Sequence, residues 1–416
     1  MTNTRQVLIF LFICLLPFQD TILQATPLRS LGSSFSILPL FFLIALEIIE
    51  RTAKGNFRIH RTYLWMVAYA AITSIFGLFY FGSYALGVNL IVQGLKLALD
   101  TGLVLFVIFG IDYSNESNIR RAVKIAFAIT VLGIILNDLH IPGLDVLTNN
   151  PVLHQTPQDD PRWRGMSKES GVLAPLIMGL GLLSAHYSQT AFAKGVYWTL
   201  SLSLMFAGGS KGGFLCMLGV IVVIFMSGNI GFLRSLILFI LAIPIIYFGF
   251  YIFLREIPLV ALIASNSIAT RLTMQIWSCL VFMHFPLGVG FTGFLPALRD
   301  YLFQAADTAQ AIVPFPMNFT EVYNYQYSAQ DASSKSLLGN FTALFGFPFL
   351  YLAMVNCIRL VRVLYRNNMI TLLASVLFML FALCTYADSL AYYNFYIIFG
   401  IAIYEYKKST HTTRPA

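Results

Sequence analysis

Thr62-Tyr63-Leu64-Trp65-Met66-Val67-Ala68-Tyr69-Ala70-Ala71-Ile72-Thr73-Ser74-Ile75-Phe76-Gly77-Leu78-Phe79-Tyr80-Phe81 carries no charge, and an arginine, Arg61, stands immediately before it. A helix of about 20 such residues spans the roughly 30 Å hydrocarbon core of a bilayer while satisfying its own backbone polar groups. Working outward, equally clear runs lie at 86–111 and 232–253, and weaker ones at 7–24, 32–50, 122–138, 171–189, 195–209, 212–228, 341–361, 368–385 and 388–405. The pattern predicts an all-α polytopic membrane protein of about twelve transmembrane helices, with residues 1–416 forming a single transmembrane domain. Composition agrees: 58% of residues are hydrophobic and 11% charged, whereas soluble domains carry about 25% charged residues. Arg5 followed by Val7–Phe18 reads as a first membrane helix rather than a signal peptide, because no small-x-small cleavage site follows closely.

The net charge of +8 is not a nucleic-acid footprint, since the basic residues fall in short clusters between apolar runs. Arg51, Lys54, Arg58 and Arg61 follow the second run, Arg120, Arg121 and Lys124 the fourth, and Arg359, Arg362 and Arg366 the tenth. Lys407, Lys408 and Arg414 follow the last. With twelve spans all four clusters share one side, which places both termini in the cytoplasm. The same alternation puts a first long loop, 139–170, and a larger segment, 254–340, on the far side. Both are rich in Pro, Gly and aromatic residues, so ordered structure resting on the membrane face is expected. Cys14, Cys216, Cys279, Cys357 and Cys384 all lie in apolar stretches and read as packing residues.

The first far-side loop ends in Pro161-Arg162-Trp163-Arg164-Gly165-Met166-Ser167-Lys168-Glu169-Ser170-Gly171. Three cations there sit on the side where interfacial anchoring does not predict them. They suggest an anion site, because paired arginines match phosphate oxygens bidentately. Interfacial anchoring is the competing explanation. Glu169 suits either a helix-capping carboxylate or a general base. Gly208-Gly209-Ser210-Lys211-Gly212-Gly213 places glycines and a lysine at a helix start, a weak anion-cradle signal on its own. Arg271, in Thr270-Arg271-Leu272, is a second candidate phosphate ligand, remote from the cytoplasmic clusters. Tyr323, Tyr325 and Tyr327 alternate with Asn324 and Gln326, which suits sugar rings and equally suits an aromatic interface belt. Lys96 and Asp100, four apart in the fourth run, read as a neutralising pair. Asp159-Asp160 is the only adjacent acidic pair and reads as solvated loop, so no metal site and no cofactor is expected.

Taken in order, these features resemble the O-antigen polymerase and ligase superfamily of bacterial membrane proteins. Arg164 through Lys168-Glu169-Ser170 is similar to the polymerase pattern of Arg, Gly and Glu-Pro-Ser, lacking its Pro. Ser210-Lys211-Gly212 resembles the family's Ser-Arg-Gly, with Lys for Arg. Arg271 through Trp277 to Pro286-Leu287-Gly288-Val289-Gly290 is similar to its Arg…Trp…Pro-Leu-Gly-x-Gly stretch. Lys335-Ser336 through Gly346 resembles the end of the large periplasmic loop, with Lys335-Ser336 where ligases carry His-Asn. That departure favours a polymerase over a ligase.

The resemblance implies a GT-C-like fold in the bacterial inner membrane. It implies metal-independent glycosyl transfer from a polyprenyl-diphosphate-linked glycan, with undecaprenyl-diphosphate-linked glycans and the lipid bilayer as partners and a chain-length regulator as a further one. Arg164 and Arg271, with Arg162, Lys168 and Lys211, are then the diphosphate ligands, and Glu169 the leading base. Arg299, Tyr323, Tyr325, Tyr327 and Lys335 are the glycan-facing residues. A ligase with Lys335 as base, and a lipid-linked oligosaccharide transporter, are the alternatives.

Overall fold

A computed structural model describes residues 2–19, 21, 23, 34–53, 61–138, 165–167, 170–226, 266–314, 316–327, 335–387, 390 and 392–412. The described chain is mostly helical. In chain order the helices are α1 (Thr2–Cys14), α2 (Ile37–Ala53), α3 (Arg61–Phe81), α4 (Leu90–Leu105, continued by a π-helical turn Phe106–Gly110), α5 (Glu116–Asp138), α6 (Ser170–His186) and α7 (Ala191–Ala207). They continue as α8 (Lys211–Met226), α9 (Asn266–His284), α10 (Gly290–Ile312), α11 (Thr320–Tyr327), α12 (Leu337–Arg366), α13 (Ile370–Thr385) and α14 (Tyr393–Thr412). Two-residue strands β1 (Tyr84–Ala85) and β2 (Val88–Asn89) pair antiparallel as a hairpin between α3 and α4. Asn89 then caps α4, its side chain accepting from the Ile91 and Val92 N–H groups.

Two apolar cores organise these helices. The larger gathers α1, α2, α5, α6, α8, α13 and α14, with Phe12, Ile13, Phe378 and Ile401 fully buried. The first helix is thus an integral part of the packing. The smaller core joins α9 and α10 to α3 and the start of α4, around the fully buried Trp277. The Trp277 indole N–H donates to the Ala297 carbonyl at 3.0 Å, which satisfies its one polar atom without water.

The chain is compatible with a membrane protein, but twelve spans are not what the helix lengths give. Among the described residues two helices, Leu90–Gly110 and Leu337–Arg366, are long and apolar enough to cross a bilayer. Only 22% of the most apolar stretch of each is buried. The outward face of α3 agrees, exposing Trp65, Val67, Ile72 and Phe79; contiguous apolar surface of that kind marks contact with lipid or protein. Shorter apolar helices include α6 and α13, of 17 and 16 residues. At about 1.5 Å per residue such helices reach about 25 Å. The expected span at 232–253 lies outside the described residues, as does nearly all of the loop 139–170. Within the far-side segment expected at 254–340, where ordered structure was anticipated, the described residues form the three helices α9, α10 and α11.

The Pro286-Leu287-Gly288-Val289-Gly290 stretch is a packing joint. Gly290 has φ of 66°, and a Cβ there would lie 2.3 Å from the Ser74 backbone nitrogen of α3. Gly346 has φ of 59° and kinks α12. There, Val289 N–H donates to the Ala343 carbonyl (2.9 Å) and Phe347 N–H to the Pro286 carbonyl (2.7 Å). Backbone meets backbone at both crossings, so no side chain fits.

Candidate functional site

Arg271 lies in the first turns of α9. Gln275, one helical turn further on, donates to the Cys384 carbonyl at 3.1 Å, which fixes the register of α9 against the C-terminal end of α13. Arg271 then rests on the ring of Tyr386, its Cζ 5.9 Å from the ring centroid. The same ring meets the start of α8: a Cβ on Gly212 would lie 2.8 Å from Tyr386 Cδ1. The helix start approaches the tyrosine because residue 212 is glycine, and Ser210 caps it by accepting from the Gly213 N–H at 3.2 Å.

Lys335-Ser336 reaches the same place from the other direction. Ser336 accepts from the Gly339 N–H at 3.1 Å to cap α12, and its hydroxyl donates to the Cys384 carbonyl at 3.0 Å. Leu337 N–H donates to the Ala387 carbonyl at 2.9 Å. These bonds clamp the residue before the cap, Lys335, to the turn that carries Tyr386. Lys335 adopts φ of 55°, a left-handed conformation that costs a non-glycine residue about 1 kcal/mol or more.

Lys335 Nζ stands 3.1 Å from Glu321 Oε1. Thr270 Oγ1 donates to Glu321 Oε2 at 2.9 Å, and the Tyr325 hydroxyl donates to Oε1 at 2.5 Å. Thr270 precedes Arg271, so the contacts close a ring: Arg271, Tyr386, the 384–387 turn, Ser336, Lys335, Glu321, Thr270. Burial alone raises the Glu321 pKa. The Tyr325 bond, the Lys335 charge and the Thr270 bond outweigh it and hold the carboxyl below its usual value. Burial, with the neighbouring Cys216 thiol, pushes the Tyr386 phenol well above its ordinary range despite the pull of Arg271. It therefore stays a protonated donor at neutral pH.

The two cations of this ring differ. Lys335 is paired with Glu321, whereas Arg271 makes no ion pair among the described residues. A guanidinium without a carboxylate partner among the described residues, on a ring that also meets a helix N-terminus, favours an anion there.

Of the residues expected from sequence, the structure brings Arg271, Lys335 and the Lys211 helix start together; the Lys211 side chain is outside the described set. Arg162, Arg164, Lys168 and Glu169 lie outside the described residues. Their neighbour Met166 accepts from the Gln19 N–H at 3.3 Å, and the Gln19 side chain donates to Asn394 Oδ1 at 3.1 Å. Met166 therefore borders the exit of α1 and the start of α14. Arg299 is exposed on α10, and no hydrogen bond or ion pair among the described residues ties it to the ring around Arg271. Tyr323 and Tyr327 are 42% and 81% exposed, whereas Tyr325 is 4% exposed and bonded to Glu321. Residues four apart share a helix face and the residue between them points away, so Tyr325 is an inner member of the cluster rather than a sugar-facing ring. Among the described residues no group of three or more His, Cys, Asp or Glu is placed to hold a metal ion.

Sequence reasoning passed over two residues of the ring. Glu321 carried a usable signal: it is a carboxylate in the first turn of a helix within a cation-bearing segment. Tyr386 carried none beyond a polar aromatic at the end of an apolar run.

No family model matches the chain. A Klebsiella pneumoniae protein described as an uncharacterized 49.5 kDa protein in cps region is 27% identical over 361 residues. The match takes in 83% of this chain and 80% of the relative.

Proposed function

We propose that this chain assembles a bacterial surface polysaccharide as a membrane glycosyltransferase of the polymerase type. The relative from a cps (capsule polysaccharide) region supports the setting. The observation that carries the chemistry is Arg271, a cation without a carboxylate partner among the described residues, held on Tyr386 beside the start of α8. In the proposed reaction an acceptor sugar hydroxyl attacks the anomeric carbon of a polyprenyl-diphosphate-linked glycan. The new bond joins that carbon to the acceptor oxygen. The bond to the diphosphate breaks, and its electron pair leaves on the diphosphate. The hydroxyl proton passes to a base, for which Glu169 is the candidate. Diphosphate is already a good leaving group, so fixed positive charge aimed at it is the main thing the protein must supply. Arg271, with Arg164, Arg162, Lys168 and Lys211, fills that role, and the exposed Tyr323 and Tyr327 face the glycan. Both termini are cytoplasmic in this proposal, and 139–170 and 254–340 lie on the periplasmic face of the inner membrane.

Lys335 bears on the choice between polymerase and ligase. A ligase base at this position would have to accept a proton, yet its ammonium is engaged by Glu321. Arg271→Ala, made in the strain that carries the gene, tests the proposal. The variant is expected to remain in the membrane fraction and to lose the ladder of polysaccharide chain lengths. A full ladder from Arg271→Ala overturns it.

A further inference from the structure

Tyr386 is a member of the ring, and its hydroxyl stands out as a polar atom without a role. The hydroxyl oxygen is buried and finds no hydrogen-bond partner among the described residues. A buried donor left unmade costs about 1–3 kcal/mol of desolvation, so an orphan of this kind needs a reason. Packing does not supply one. The ring alone provides the contacts with Arg271 and with the α8 start at Gly212, and a phenylalanine offers the same ring. Nor does the neighbouring sulfur account for it: Cys216 Sγ lies 3.6 Å from Thr385 Oγ1, its hydrogen-bond partner.

We propose that the Tyr386 hydroxyl is a substrate-contacting donor that completes, with Arg271, a site for a phosphate oxygen of the lipid-linked diphosphate. The inference rests on the diphosphate reading and adds a residue to it. Arg271 supplies charge, and the phenol supplies a neutral donor fixed by the turn that Ser336 and Leu337 clamp. A donor held in place before reaction costs no reorganisation when charge builds on the leaving diphosphate. Because the bond strengthens with that charge, its loss falls mainly on kcat rather than KM.

Tyr386→Phe removes the hydroxyl and leaves the ring. The full-length protein, purified in detergent, is assayed with undecaprenyl-diphosphate-linked repeat unit from the parent strain, and its melting temperature is followed with and without undecaprenyl diphosphate. The expected kcat is lower by about 10- to 100-fold, with KM changed less than about threefold. The melting temperature of the ligand-free variant is expected to equal or exceed that of the parent, since an unsatisfied buried group has been removed. The stabilisation by undecaprenyl diphosphate is expected to shrink. A merely structural hydroxyl gives the opposite pattern, a lower melting temperature with kcat intact, and that overturns the inference. Full activity in Tyr386→Phe alongside an inactive Arg271→Ala also overturns it while sparing the diphosphate reading. Full activity in Arg271→Ala instead removes that reading itself.

Discussion

Arg271 and Lys335 are two cations in one ring of contacts, some sixty residues apart in sequence, and they are treated oppositely. Lys335 meets Glu321 at 3.1 Å, and that carboxylate also accepts from Thr270 and Tyr325. Arg271 lies on the face of Tyr386, whose ring also meets a helix start, and makes no ion pair among the described residues. A charge whose field is cancelled within the protein holds the fold together. A charge whose field is left open is available to an anion. The contrast separates positioning from binding without reference to any ligand, and each half can be attacked separately.

Arg271→Ala carries the largest expected effect. Glycosyl transfer should fall by about 100-fold or more, while stability changes by no more than about 0.5 kcal/mol. Turnover with lipid-linked repeat unit and thermal unfolding in detergent check the two halves. Arg271→Lys should recover only part of the rate, because a point charge replaces a planar two-pronged donor.

Glu321→Ala should reverse the emphasis. It leaves Lys335, Tyr325 and Thr270 without their shared acceptor and should cost about 1–2 kcal/mol, the partial exposure of the pair limiting the loss. Activity should drop by less than about tenfold, as Arg271 keeps its charge but loses part of its frame. A rate loss equal to that of Arg271→Ala breaks the distinction between the two cations.

A smaller effect follows from pH. Glu321 has a folded pKa below its unfolded one, so its contribution is fully present above the unfolded value near about pH 4.5. It is lost as pH falls through the lower folded value. The melting-temperature gap between the parent and Glu321→Gln should therefore be constant near neutrality and close on acidification through that window. The gap between the parent and Arg271→Ala, which keeps Glu321 in place, should stay flat across the same window. Last, Tyr327→Ala removes an 81% exposed ring. It should leave the melting temperature unchanged and raise KM for the lipid-linked glycan by about threefold to tenfold, about 1 kcal/mol of ring contact. An unchanged KM takes Tyr327 out of the glycan-facing set.

Much of the helical frame was legible because its signals are local. The apolar runs at 86–111 and 341–361 became Leu90–Gly110 and most of Leu337–Arg366. The Pro-Leu-Gly-Val-Gly stretch marked a real joint, although its glycines serve backbone packing against α3 and α12. Arg271 was legible because an isolated cation in an apolar context stands out. The ring around it was not, because its members pair across long separations. Thr270 and Glu321 are 51 residues apart, and Ser336 and Cys384 are 48 apart. Tyr323, Tyr325 and Tyr327 looked alike in sequence and were sorted only by the helical turn that buries the middle one. The break between α7 and α8 was legible as well, because glycines and the Ser210 cap sit between the two apolar runs.

The most direct test compares undecaprenyl diphosphate binding to the purified full-length protein, to Arg271→Ala and to Lys335→Ala, by titration calorimetry in detergent. Arg271→Ala should bind at least about tenfold more weakly, the value of a charge-assisted hydrogen bond. Lys335→Ala should stay within about twofold of the parent, because its charge is already matched by Glu321. Equal weakening in both variants, or in neither, contradicts the assignment of Arg271 as the open cation.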